Sequence, residues 1–251
     1  MSLIIGEAAY TESPMASDAP TSSPAPPIEH LILDIGGVIL PSAMPQVIAQ
    51  LVELSGRSEQ QLWRFFNTRL FEPFWSGAIS LGEFWETFTD FAGIPGARAR
   101  WQTEMTTTML RPLGDVAQVR RWAQVVPVGV LSNQRTEWIL PVFDREGITE
   151  LFAPLLISSA TGLVKPDPRA FAQLTHLGSV PNRVLYVDDR SQALRRAEQH
   201  GISTLQAHDD RDWIRRIDER LGLVTPDDAL HTRSVNTAPS SGLHDYPTID
   251  R

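Results

Sequence analysis

The chain contains no cysteine and a single lysine set against 21 arginines. Without a thiol there can be no disulfide, no thiolate nucleophile and no thiolate metal site, so any bound metal must take oxygen or imidazole ligands. A hard cation such as Mg²⁺ fits that supply. Arginine is a planar fork suited to bidentate surface pairing, whereas lysine is a compact point charge on a thin stem that can enter a tight polar site. Lys165, in Val164-Lys165-Pro166-Asp167-Pro168, is therefore a candidate for such a site, weighed against an Arg-rich codon usage that left one lysine by chance. Basic charge is not in excess either, because the net charge is -8; that argues against a nucleic-acid partner, which calls for a basic stripe. No apolar run approaches the roughly 18 residues of a membrane span. Met1 to Gly6 lack the basic region that opens a signal peptide, so a cytoplasmic protein with no membrane partner is expected.

Of the 251 residues 42% are apolar, with seven tryptophans, which is enough to bury a large core. Residues 1–27 are rich in Pro, Ser, Ala and Thr, and residues 225–251 are similarly polar. Neither stretch offers a periodic apolar face, and both are expected to be disordered tails. Residues 42–111 have a helical and aromatic texture. Ser58 with Gln61, and Ser80 with Glu83, form capping boxes, and Leu81, Phe84, Trp85, Phe88 and Phe91 fall on one helical face. Trp63, Trp75 and Trp85 are expected in the core of this insert, with a place facing the cleft as the alternative for Trp75, which precedes Ser76-Gly77.

Residues 28–41 and 112–224 alternate between short apolar runs and helical patterns. The runs are Leu31 to Leu33, Val125 to Leu131, Leu155 to Ile157, Val184 to Val187 and Ser203 to Ala207. Such alternation predicts an α/β fold with a doubly wound parallel sheet, interrupted by the all-helical insert, which would lie over the sheet edge as a lid. Ligands of such sheets bind beyond the carboxyl ends of the strands.

Polar residues collect at those ends: Asp34 after the first run, Ser132 and Asn133 after the second, Asp188 and Asp189 after the fourth, with Lys165 following the third by way of Ser158 to Val164. If the strands are neighbours, these groups converge. Three carboxylates in one place repel unless cations share the site, so the pattern predicts a divalent metal and a nearby ammonium. Each piece has a plain reading as a turn or helix cap, and it is the ordered set of four that carries weight.

That order resembles the haloacid dehalogenase superfamily, with a strand ending in Asp, a strand ending in Ser or Thr, a Lys and an acidic pair. The likeness runs from Leu31 through about Ala207, with the helical insert where the family's C1 cap belongs. Asp34-Ile35-Gly36-Gly37-Val38 and Gly77-Ala78-Ile79-Ser80-Leu81-Gly82-Glu83-Phe84 are similar to a subgroup containing sugar-phosphate phosphatases. The resemblance implies Asp34 as the nucleophile that accepts the phosphoryl group. It implies Mg²⁺ on the Asp34 carboxylate, the Gly36 carbonyl and the Asp188 carboxylate. Ser132 and Asn133 would bind the phosphorylated metabolite and Lys165 would neutralise its charge, while Asp189 would orient Lys165 or a metal-bound water.

One position departs from the family. Its phosphatases carry a second Asp two residues after the nucleophile, as acid and then base, and here Gly36 stands there. Its dehalogenases carry a Tyr at that position, which Gly36 does not support either. Acid-base groups typically contribute about 10²- to 10⁴-fold, so a non-catalytic phospho-ligand sensor or interaction protein of the same fold is the rival to a phosphoric monoester hydrolase. Asp34-Ile35-Gly36-Gly37 also resembles the first phosphate loop of actin-like sugar kinases, but no hairpin or second Asp-x-Gly loop follows. A receiver domain would place its acidic pair before the phosphoacceptor. Substrate identity and oligomeric state have no transferable signature in this chain.

Overall fold

The computed structural model describes residues 27–95, 110–112 and 116–223. The expected tails, apart from Pro27, and part of the insert lie outside the described residues. Five strands form one parallel sheet in the order β3-β2-β1-β4-β5: β1 His30–Leu33, β2 Val128–Ser132, β3 Phe152–Ile157, β4 Val184–Asp188 and β5 Ser203–Gln206. The first strand thus lies at the centre, flanked by β2 and β4 in register, with Leu33 opposite both Val130 and Val187.

Successive side chains of a strand point to opposite faces, and here both faces are buried. Leu31, Leu33, Val128, Val130, Leu185 and Val187 join one core. Ile32, Leu131, Val184 and Tyr186 join the other. This explains why the strands read as continuous apolar runs.

Two runs start three residues away from where the pattern suggests. Val125 and Val126 close the preceding helix, each donating its N–H to the Trp122 carbonyl, so β2 starts only at Val128. Conversely β3 starts at Phe152 and takes in Pro154, which the outermost position allows because one side of that strand needs no ladder donor.

The insert opens with α1 Ala43–Ser55. Next comes a helix made of α2 Glu59–Phe65, a π-helical turn Phe66–Leu70 and α3 Phe71–Trp75, and then α4 Leu81–Ala92. Both capping boxes are present, at Ser58 with Gln61 and at Ser80 with Glu83. The core helices are α5 Ala117–Ala123, α6 Thr136–Glu146, α7 Ser158–Thr161, α8 Pro168–Ala172, α9 Ser191–Glu198 and α10 Asp212–Arg220. Insert and sheet share a single apolar cluster, joined by Trp138 of α6, whose ring lies 5.2 Å from Phe74 and 6.1 Å from Trp75. The insert faces the carboxyl ends of the strands, since Trp63, Phe66, Asn67 and Arg69 line one cleft with Asp34, Ser132 and Lys165. Among the described residues, no helix is long and apolar enough to cross a membrane.

Candidate active site

The central position of β1 delivers Asp34 between the ends of β2 and β4, and the Asp34 N–H is held at 2.8 Å by the Val187 carbonyl. Ser132 ends β2, and Asp188 ends β4. Asp34, Ser132, Lys165 and Asp188 are all buried, with Lys165 only 7% exposed. Asp34, Asp188 and Asp189 each offer a carboxylate oxygen, and these oxygens lie within 4.8 Å of one another.

Lys165 answers that negative charge. Its ammonium lies 3.1 Å from Asp34 Oδ1 and 2.7 Å from Asp188 Oδ2, and it donates to the Tyr186 hydroxyl at 2.7 Å. Burial works against the lysine's charge, but Asp188 and Asp34 outweigh it and raise its pKa. The same exchange splits the carboxylates. Burial opposes the charge on Asp188, yet Lys165 and the hydroxyl of Tyr186 hold its pKa below the usual value. Asp34 goes up, because burial and the neighbouring Asp188 exceed the help it receives from Lys165, Ser132 and the Ile35 N–H. Burial and the charges of Asp34 and Asp188 push Asp189 up to about 7. Asp189 Oδ1 is buried without a hydrogen bond, and Asp34 Oδ1 is buried with the Lys165 ammonium beside it and acceptor capacity left.

Lys165 pairs with Asp188 and Asp34 and not with Asp189, for which the resemblance implied a part in orienting either Lys165 or a metal-bound water. Asp189 turns instead toward Gly37: a Cβ at Gly37 would stand 2.4 Å from Asp189 Oδ2, and Gly37 has φ +78°. Glycine there serves both the backbone conformation and the room for the carboxylate. Asn133 lines the cleft but its amide is committed to the lysine's backbone. It accepts from the Lys165 N–H at 2.7 Å and donates to the Lys165 carbonyl at 2.8 Å, so it anchors the segment that carries the ammonium.

Three contributors escape sequence reading. Tyr186 reads as an apolar residue of β4, yet it lies two residues before Asp188 and therefore on the same face; it donates to Asp188 Oδ2. Burial beside Asp188 pushes its phenol well above the usual range, so it remains a donor. Gln134 is 3% exposed and lines the cleft. Arg135, equally buried, reaches across to the insert. The spacing of polar residues within a strand and the polar run Ser132 to Glu137 after Leu131 are the signals that bear on these three.

A model described as haloacid dehalogenase-like hydrolase matches residues 43–207, more than half of the chain. The chain belongs to the haloacid dehalogenase-like hydrolase family. The matched stretch takes in Ser132, Lys165, Asp188 and Asp189 and starts after the Asp34 turn. Bifunctional epoxide hydrolase 2 of Rattus norvegicus and that of Mus musculus are each 27% identical over 103 residues, or 41% of this hydrolase. The chain spans 18% of the length of those curated relatives. Among solved structures, a HAD-family enzyme of Bacteroides thetaiotaomicron superposes with TM-score 0.66 at 19% identity, covering 76% of this chain and 99% of that one. Its complex with magnesium and inorganic phosphate gives 0.59 at 18% identity, over 71% and 93% of the two chains. The L-2-haloacid dehalogenase of Xanthobacter autotrophicus gives 0.50 at 22% identity, over 71% and 77%. At these identities the structural likeness speaks to the fold.

The donor set of this HAD-like hydrolase fits a hard divalent cation. Its carboxylates are clustered, thiols are absent, and two of the carboxylate oxygens are buried with acceptor capacity to spare. Both oxygens of Asp188 already carry donors, the Arg190 N–H on Oδ1 and Lys165 with Tyr186 on Oδ2. The open acceptors belong to Asp34 and Asp189, which brings Asp189 into the group able to hold the ion. The Gly36 carbonyl belongs to the turn that closes against Leu40, and Gly36 lines the cleft.

Proposed function

We propose that this HAD-like hydrolase is a Mg²⁺-dependent phosphatase of a small phosphorylated metabolite, with a sugar phosphate as the first candidate. The observation that carries this reading is the buried ion pair of Asp34 with Lys165, 3.1 Å apart. It puts a nucleophilic carboxylate and an anion-accepting ammonium at the floor of a cleft of about 670 Å³, a size suited to a small metabolite. The cleft is also lined by Arg69, Arg190 and Arg196 against Glu72, which favours an anionic ligand. The magnesium and inorganic phosphate bound to the Bacteroides relative support the same chemistry by analogy.

In this reading Asp34 attacks phosphorus in line and the ester oxygen departs, leaving the phosphoryl group on the carboxylate. Ser132 donates its hydroxyl to a phosphoryl oxygen, and Lys165 offsets the charge of the transferred group. Asp34, Asp188 and Asp189, whose carboxylate oxygens cluster, would hold Mg²⁺ together with the Gly36 carbonyl, Asp189 bringing the acceptor that is still open. When bound, the ion supplies charge neutralisation among the carboxylates and the phosphoryl oxygens. Gly36 supplies no proton to the leaving oxygen, so substrates with a good leaving group, such as an anomeric sugar phosphate or an acyl phosphate, are turned over best.

A second reading rests on Gly36 as well. Its backbone does not require glycine: a Cβ there would meet nothing nearer than Ser42 Oγ at 3.5 Å. The missing acid/base is thus a chemical difference, and a non-catalytic phospho-ligand sensor would retain the rest of the pocket. The readings separate by phosphate release from p-nitrophenyl phosphate and a panel of sugar phosphates, with and without Mg²⁺, using Asp34→Asn as control and an L-2-haloacid as a halide-release arm. Mg²⁺-dependent phosphate release above the control supports the phosphatase. Binding of inorganic phosphate with no release above it supports the sensor, and halide release would overturn both.

A further inference from the structure

We propose that Gln134 positions the water that hydrolyses the phosphorylated Asp34, an inference that rests on the phosphatase reading. The carboxamide of Gln134 occupies the space beside Gly36: a Cβ built on that glycine would lie 3.6 Å from Gln134 Nε2. It is the neighbour of the position from which the family's acid/base would project. Gln134 is 3% exposed, lines the cleft together with Asp34, Gly36 and Ser132, and its Oε1 has no hydrogen-bond partner. A buried amide oxygen without a donor costs about 1–3 kcal/mol. Such an acceptor persists where something donates to it in use.

The backbone of Gln134 is fixed, and turning the amide about its soft two-fold terminal torsion exchanges Oε1 with the Nε2 that lies beside Gly36, which brings the acceptor to that position. The Gln134 backbone N–H donates to Ser158 Oγ at 3.0 Å, the same hydroxyl donates back to the Gln134 carbonyl at 3.3 Å, and the Ser159 N–H donates to that carbonyl at 3.3 Å. Both ends of the peptide are thus tied to the start of α7, leaving only the side chain to face the cleft.

An amide oxygen is far too weak a base to remove a proton at neutral pH, so Gln134 orients and does not deprotonate. The water oxygen forms a new bond to phosphorus, and the bond from phosphorus to the Asp34 oxygen breaks with its electron pair returning to the carboxylate. The water proton that is not hydrogen-bonded to Gln134 passes to a phosphoryl oxygen, giving dihydrogen phosphate. The carboxylate is a good leaving group, so an oriented water suffices in this second step. No such help reaches the ester oxygen in the first step. Gln134 therefore acts on the two steps unequally.

The test is pre-steady-state release of p-nitrophenol from p-nitrophenyl phosphate in the presence of Mg²⁺, followed by acid quench and intact mass. Gln134→Met, which keeps the volume and removes the amide, is expected to leave the burst rate unchanged. Steady-state turnover should fall by about 100-fold, with the phosphorylated protein accumulating. Gln134→Glu is expected to restore turnover with a new acidic limb in the pH profile, since a carboxylate takes the proton only when it is ionised. Equal loss in burst and steady state, or no loss in either, would overturn the assignment to the water step. A wild-type protein that releases no p-nitrophenol above Asp34→Asn would overturn the phosphatase reading and this inference with it, whereas a normal wild-type burst confines any failure to Gln134.

Discussion

The guanidinium of Arg135 donates to the backbone carbonyl of Phe74 at 2.8 Å, so the loop that follows Ser132 is hydrogen-bonded directly to the helical insert. The same nitrogen reaches the Ile79 carbonyl at 3.0 Å, the opposite side of the fork pairs with Glu137 at 2.6 Å, and the ring of Phe74 lies 5.3 Å beneath. Removing the side chain would strand two carbonyls under the insert. Arg135→Ala is expected to cost about 3 kcal/mol in urea unfolding at unchanged m value. Arg135→Lys should recover little of this, because a point charge cannot serve carbonyls and carboxylate from two sides at once. A loss below about 1 kcal/mol would mean that the insert is held by its apolar contacts alone.

How much of this was legible beforehand follows from the range of each interaction. Asp34, Ser132 and Asp188 could be read because apolar runs locate strand ends, and a parallel sheet brings those ends together. Both capping boxes are local patterns and fall where the sequence puts them. Asn133 and Lys165 are 32 residues apart and Arg135 and Phe74 are 61 apart, and no local period encodes which backbone passes over which side chain. Tyr186 was hidden by its own strand, where a phenol among Val184, Leu185 and Val187 looks like core. Val125 and Val126 read as strand because β-branched residues favour it, but the turn that closes α5 claimed them.

A pH-dependent tie is found away from the cleft. The Glu29 carboxylate accepts from the Ser179 N–H at 2.7 Å and the Ser179 hydroxyl at 3.0 Å, and it pairs with Arg183. These interactions, the Ser179 backbone first, lower its pKa from 4.5 to about 2. A carboxylate whose folded pKa is depressed contributes stability that is present above the unfolded value and lost as pH falls through the folded one. The contribution is therefore full above about pH 4.5 and gone near about pH 2. Glu29→Gln should lower the melting temperature at neutral pH and flatten its decline across that window. Parallel pH profiles for wild type and variant would show that Glu29 is not the group responsible.

Metal binding and stability are expected to be linked through Asp189. With its pKa raised to about 7 by burial and by Asp34 and Asp188, an ionised Asp189 is a liability in the metal-free protein. Asp189→Asn should raise the metal-free melting temperature at about pH 8 by a few degrees, corresponding to about 1–2 kcal/mol. Mg²⁺ should stabilise the wild type in proportion to the logarithm of its concentration and the variant markedly less. Calorimetry in chelator and across a Mg²⁺ titration measures both effects. Equal Mg²⁺ shifts in the two proteins would place Asp189 outside the ion's surroundings.

The single lysine now has three partners, Asp34, Asp188 and Tyr186, inside a site where it is 7% exposed. An arginine would keep the charge but bring a planar fork into a space shaped for one tetrahedral nitrogen. Lys165→Arg should therefore displace Asp34 from the cleft floor and reduce phosphate release by about 10³-fold. Lys165→Met, of similar length and without charge, tests the other half of the argument: it should lose the same activity and also bind inorganic phosphate more weakly, because nothing then offsets the buried carboxylates. Turnover near wild type in Lys165→Arg, with the fold intact by circular dichroism, would mean that charge alone is required and that the choice of lysine over 21 arginines has no chemical cause.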